Sequence, residues 1–148
     1  MAKITIITVG KKHSKDIKPL IELYEKRLGK MCDLTWDIIP SSSIDSESLA
    51  IEKRINTDDF VILLDETGEM MNNDELAEKL EDLQNTSIKR VVFIIGGAFG
   101  VNYNLMIRAN LVLSLSKLVF PHQLVRVILI EQIYRSFSIL KGSKYHHN

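Results

Sequence analysis

Apolar residues recur along this chain with two periods. Short β-branched or aliphatic runs at residues 3–9, 34–39, 60–64, 90–95 and 111–115 have the length and composition of strands. Between them lie stretches of helical period. One, over residues 17–28, places Ile17, Leu20, Ile21, Tyr24 and Leu28 on one stripe and stops at Gly29. Others are predicted over residues 46–55, from Asn72 to about Leu83, and over 104–109. Asn72 has the position of an N-cap, with Glu75 three residues on. Turns are expected at Gly10-Lys11-Lys12-His13-Ser14, at Ser41-Ser42-Ser43 and at Asp65-Glu66-Thr67-Gly68, where the third strand should end.

The segment 123–137 differs from the other helices, because its apolar residues fall on every side. A helix of that kind has to be covered all round. A chain this short has few layers with which to do so, and a second subunit is the expected cover. Strand and helix alternate throughout, which predicts an α/β fold: a mostly parallel sheet with helices on both faces. No repeat, low-complexity tract or linker divides the chain, so residues 1–148 are expected to form one domain.

Composition changes this picture little: 45% hydrophobic and 26% charged residues suit a globular protein. The lone Cys32 excludes an internal disulfide and fits a reducing, cytoplasmic setting. Residues 1–9 run straight into a strand pattern without the features of a signal peptide, and no apolar run nears the roughly 20 residues that span a bilayer. No membrane association is expected. Charge adds more. The formal net charge is zero, yet residues 1–30 and 88–148 are basic and residues 31–87 strongly acidic. Such sorting predicts one face toward a polyanion and an acidic face away from it. Lys11, Lys12, Lys15 and Lys18 make the most compact basic patch.

Candidate chemistry gathers at the carboxyl ends of strands, where open α/β sheets bind ligands. Three such ends are Leu64-Asp65-Glu66, Gly96-Gly97-Ala98-Phe99-Gly100 and Leu115-Ser116-Lys117-Leu118-Val119-Phe120. The glycines let a ligand approach the backbone closely, but their spacing matches neither a dinucleotide fingerprint nor a Walker loop. An apolar crevice with backbone donors and acceptors suits a flat purine better than a triphosphate. His122 opens the long helix and shares a face with Arg126, whose charge is costly to bury unless paired. Glu131 and Arg135 are spaced to pair with each other. The tail Tyr145-His146-His147 is polar and aromatic, and no His, Cys, Asp or Glu cluster has metal-ligand spacing.

With these residues in view, the chain resembles the RlmH family, the large-subunit ribosomal RNA pseudouridine N3-methyltransferases of the SPOUT superfamily. The resemblance runs from Lys3-Ile4-Thr5-Ile6 and Val9-Gly10-Lys11 to Tyr145-His146. It is most specific in Phe93-Ile94-Ile95-Gly96-Gly97, Leu113-Ser114-Leu115-Ser116-Lys117, Phe120-Pro121-His122-Gln123-Leu124-Val125-Arg126-Val127 and Glu131-Gln132-Ile133-Tyr134-Arg135. It implies a C-terminal part threaded as a deep trefoil knot, and a homodimer in which each subunit completes the other's site. It implies S-adenosylmethionine as methyl donor, held by Leu64, Gly96, Leu115, Ser116, Lys117, Leu118, Val119 and Phe120. The implied substrate is a pseudouridine of 23S rRNA on the assembled ribosome. Val119 stands where relatives often carry threonine, and the segment 41–59 is shorter than theirs. On chemical type, His122, Arg126 and His146 are the candidate catalytic residues, with Glu131 a further possible base. Two other functions fit the same fold: methylation of tRNA, and RNA binding without catalysis.

Overall fold

The computed structural model of the chain describes residues 1–147. Five strands form one all-parallel sheet: β1 (Ala2–Val9), β2 (Cys32–Ile39), β3 (Phe60–Met70), β4 (Arg90–Ile95) and β5 (Leu111–Ser114), in the order β2-β1-β4-β3-β5. Helices α1 (Lys18–Leu28), α2 (Ile44–Glu52), α3 (Asn73–Gln84), α4 (Tyr103–Arg108) and α5 (His122–Leu140) connect or follow them.

Strand alternation sorts the core into two layers. Ile4 and Ile6, Ile62, and Val91, Phe93 and Ile95 face α1, α3 and α5. Ile7 and Val9, Val61 and Leu63, and Val92 and Ile94 face α2 and α4. Helices therefore cover both faces, as expected. Local chemistry fixes several helix ends. The Asn72 side chain accepts from Glu75 N while the Glu75 carboxylate accepts from Asn72 N, a reciprocal cap that begins α3. Ser43 and Asn102 cap α2 and α4, and Gly29, at φ 36°, closes α1.

Two expectations need correction. The third strand does not stop at Asp65 but runs on to Met70. Leu64 and Glu69 both align with Leu113, so the predicted turn at Asp65-Glu66-Thr67-Gly68 is a bulge inside a continuing strand. Asp65 Oδ1 accepts from both the Thr67 amide and its hydroxyl, which shapes the bulge. The chain's own helices also cover much of α5: Leu129, Ile130, Ile133 and Phe137 are buried with α1 and α3 residues in one cluster. Arg126, Ser136 and Ser138 are buried as well; the remaining α5 positions are half-buried or, at Leu124, exposed.

Candidate functional site

Because every strand is parallel, all the strand carboxyl ends lie along one edge of the sheet, and loops from distant parts of the sequence meet there. A cavity of about 550 Å³ opens at this edge, within the ~300–1,000 Å³ usual for small-molecule sites. Its floor comes from Leu63, Leu64 and Ile95; its walls come from the 96–101 loop, from the loop after β5, and from His122 and Val125 on α5.

Each wall has a physical reason for its shape. A Cβ on Gly97 would sit 2.6 Å from Glu47 Oε1, and Glu47 is itself buried and accepts from Ser42 N at 2.8 Å. Gly100 holds a φ of +80°, a conformation that favours glycine. In the loop after β5, Ser114 Oγ donates to Ser116 O, and Ser116 Oγ accepts from Leu118 N. This side-chain scaffolding turns Leu118 and Val119 outward, so that they stand exposed beside the cavity mouth, as does Phe99.

His122 joins the walls. Its Nε2 lies 3.0 Å from the carbonyl oxygen of Gly96 and 3.4 Å from Thr8 Oγ1. A carbonyl only accepts, so Nε2 carries the proton and Nδ1 is the accepting nitrogen. Burial, then the nearby Arg126 charge, lower its pKa and keep the ring neutral.

Arg126 is fully buried one turn further along α5. Its Nη1 lies 3.2 Å from His13 Nδ1, which must accept because a guanidinium only donates. Its Nε and Nη2 have no hydrogen-bond partner. Burial lowers its pKa, and among the described residues no carboxylate pairs with it. His13 is packed edge-on against Trp36, with ring centroids 4.6 Å apart. The Gln123 side chain fastens the 10–14 loop over this group, accepting from Ser14 N and donating to Lys12 O.

Of the eight residues expected to hold a methyl donor, Leu64, Gly96, Leu115, Ser116, Leu118, Val119 and Phe120 line the cavity. Lys117 does not; its side chain is exposed to solvent. Nor does the chain bring its three candidate catalytic residues together. His146 Nδ1 lies 3.1 Å from Arg135 Nη1, beside the Glu131–Arg135 ion pair and Tyr145. Arg135 is thirteen residues beyond His122 on α5, about 20 Å along the axis. The tail is bound to α5 by packing: Tyr145 stacks edge-on against Tyr134, donates to Glu131, and has its pKa pushed up to about 12 by burial first and by that bond second.

Sequence reasoning missed Thr8, His13, Gln123 and Val125. The rule that selects strand carboxyl ends would have found Thr8 and the loop after Gly10, had it been applied to β1.

A family model described as predicted SPOUT methyltransferase matches residues 2–146. The ribosomal RNA large subunit methyltransferase H of Clostridium beijerinckii is 40% identical over 97% of this chain and 98% of its own length. The protein of that name from Christiangramia forsetii is 36% identical over the same shares of each. In fold, the chain is similar to a solved structure from Haemophilus influenzae, described as a probable methylase family protein. That match has a TM-score of 0.59, covers 99% of this chain and 71% of the other, and has 12% identity. Sheet, cavity and sequence agree, and the chain belongs to the SPOUT methyltransferase family, in the group of the ribosomal RNA large subunit methyltransferase H proteins.

Proposed function

We propose that this chain uses S-adenosylmethionine to methylate N3 of a pseudouridine in 23S rRNA on the assembled ribosome. It would act as a cytoplasmic homodimer, each chain one domain with its C-terminal part threaded as a trefoil knot. The observation that carries this reading is the convergence of seven expected donor contacts on one cavity. The names of its relatives point the same way, as do the basic ends of the chain, which suit a polyanionic partner.

The cavity fits the donor chemically. Leu64, Ile95, Leu115 and Phe120 offer apolar faces to a purine, while the glycine loop brings backbone groups close without side chains. When bound, the donor supplies a sulfonium methyl that leaves as an N3–CH3 bond forms, its sulfur keeping the electron pair as a neutral thioether. The chain's task is then to position the two reactants and to take the N3 proton. Alignment alone supplies about 7–11 kcal/mol in favourable cases. His122 is the preferred base, because its Nδ1 is unprotonated and Gly96 holds the ring in that tautomer. His146 and Arg135 would act in the site of the second copy, since neither reaches the cavity of its own chain. Exposed Phe99, Leu118 and Val119 mark where that copy would close the mouth.

Nucleoside analysis of large-subunit rRNA from cells with and without the protein tests this reading. Loss of N3-methylpseudouridine on deletion is the expected result. Loss of a tRNA modification instead would favour the tRNA enzyme. No change in either, with no heat on titration of S-adenosylmethionine, would leave an RNA-binding module.

A further inference from the structure

The glycine-rich wall of the cavity needs something to hold it. It contains Gly96, Gly97 and Gly100, and chain of that composition loses much freedom when fixed in one shape. Its own turn bond, from Gly100 N to Gly97 O at 3.0 Å, fixes only its middle. The rest of the hold comes from behind, from α2, none of whose residues lines the cavity. Ser48 Oγ accepts from Asn102 N at 2.9 Å, and Asp45 Oδ1 accepts from Asn102 Nδ2 at 3.1 Å. Asn102 Oδ1 in turn accepts from Leu105 N, so the residue that ends the wall also starts α4.

The other end of the wall is set by Glu47. Gly97 has a negative φ, so a left-handed backbone is not what demands glycine there. Its missing side chain has another reason: a Cβ would lie 2.6 Å from Glu47 Oε1 and 3.3 Å from Glu47 Cδ. The carboxylate has little room to withdraw, being buried and fastened through Oε2 to Ser42 N at 2.8 Å. Gly97 therefore yields its side-chain space to α2, not to the cavity. The buried residues of α2 are Glu47, Ser48 and Ile51, two of them polar. Burying a carboxylate is costly, and an apolar side chain would fill the same space without that cost, so packing alone does not account for the pair. The Glu47 charge also bears on the cavity lining: burial and Arg126 lower the His122 pKa, and the Gly96 bond and then Glu47 act the other way.

We propose that Glu47 and Ser48 are positioning residues of the donor site, which hold residues 97–102 in their cavity-lining shape so that donor affinity depends on two side chains the donor never touches. This rests on the donor reading above and deepens it. It also gives the short 41–59 segment a task within the site.

The test combines calorimetric titration of S-adenosylmethionine with amide hydrogen exchange, both on the full-length protein. Ser48→Ala should weaken donor binding about tenfold, the scale of leaving one buried amide without its acceptor. It should raise KM for the donor while kcat at saturating donor stays near native, because bound donor restores the wall. Exchange at Gly100 and Asn102 should quicken in S48A while the amides of β1 and β4 keep their protection. Glu47→Gln, which keeps the length and an acceptor for Ser42 N, should bind within about threefold of native. Gly97→Ala and Glu47→Ala should each weaken binding, but their double variant should lose less than the product of the two single losses, because the added methyl takes the vacated space. The assignment is overturned if S48A loses Tm with donor affinity unchanged, if it loses RNA affinity alone, or if the Glu47 and Gly97 effects simply multiply. Should E47A not fold, the S48A exchange pattern decides, and native protection at Asn102 in S48A overturns the assignment. If the native protein gives no heat with S-adenosylmethionine, the donor reading fails, and the exchange pattern alone decides whether α2 holds the wall.

Discussion

His13 depends on its protonation state for its place in the structure. It accepts from Arg126 only while Nδ1 is bare; a second proton would set two cations 3.2 Å apart. Burial, then Arg126 and Lys18, hold its pKa below the ordinary 6.5, and burial and Arg126 do the same for His122. On unfolding both return to the ordinary value, so below it the unfolded chain binds protons that the native chain refuses. The sign follows: stability is full above about pH 6.5 and is lost as the pH falls from there through the two lowered values. Thermal unfolding followed from about pH 8 down to about pH 5 should show this decline. His13→Gln, whose side-chain oxygen can still accept from Arg126, should make it shallower, and an unaltered slope would count against the assignment. His122 and Arg126 were legible in the sequence because they are polar positions in an otherwise greasy helix. His13 was not, because its partner lies 113 residues away and nothing local marks the pairing.

The bulge in β3 belongs to the scale of elements. Gly68 lies so close to β5 that an added Cβ would come within 2.6 Å of the Val112 carbonyl oxygen and 2.9 Å of Leu113 N. Both atoms are backbone in a paired strand, so relief requires the strands to part. Gly68→Ala should therefore cost about 1–3 kcal/mol in a urea titration, typical of overpacking. It should also weaken S-adenosylmethionine binding, because the loop after β5 would move with its strand; normal affinity in a destabilised variant would uncouple the bulge from the site. The apolar runs had located all five strands, to within about two residues everywhere except the far end of β3. The bulge escaped because a run of Asp-Glu-Thr-Gly has the composition of a strand end, and only the register with Leu113 reveals that pairing resumes. The alternation of strand and helix made the parallel sheet readable, since parallel neighbours need a crossover between them.

For the whole molecule, the separation of His122 from His146 makes a stoichiometric prediction. If each site takes its tail from the other copy, His146→Ala and Arg126→Met are each defective alone. Mixed dimers would contain one site with both residues intact. Equal mixing with subunit exchange should restore about a quarter of native activity, as half the dimers are mixed and each has one working site. Mixing without recovery would argue that each chain works alone. Ligand binding should also stabilise the assembly, by about 2.7 kcal/mol at a hundredfold excess over Kd, read as a rise in Tm. The sequence could not show where the tail goes, because a helix apolar on all sides does not say which neighbour covers which face.

The strand order has a consequence for how the protein is made. β4 lies between β1 and β3, yet it is the fourth strand to leave the ribosome. Until residue 95 has been synthesised, β1 and β3 each present a bare edge where β4 belongs. A nascent chain paused before that point has β1 open on one side and β3 open on both, the state most open to pairing with a stranger. Translational arrest there should yield a protease-sensitive, chaperone-bound fragment, whereas release of the complete chain should abolish both properties.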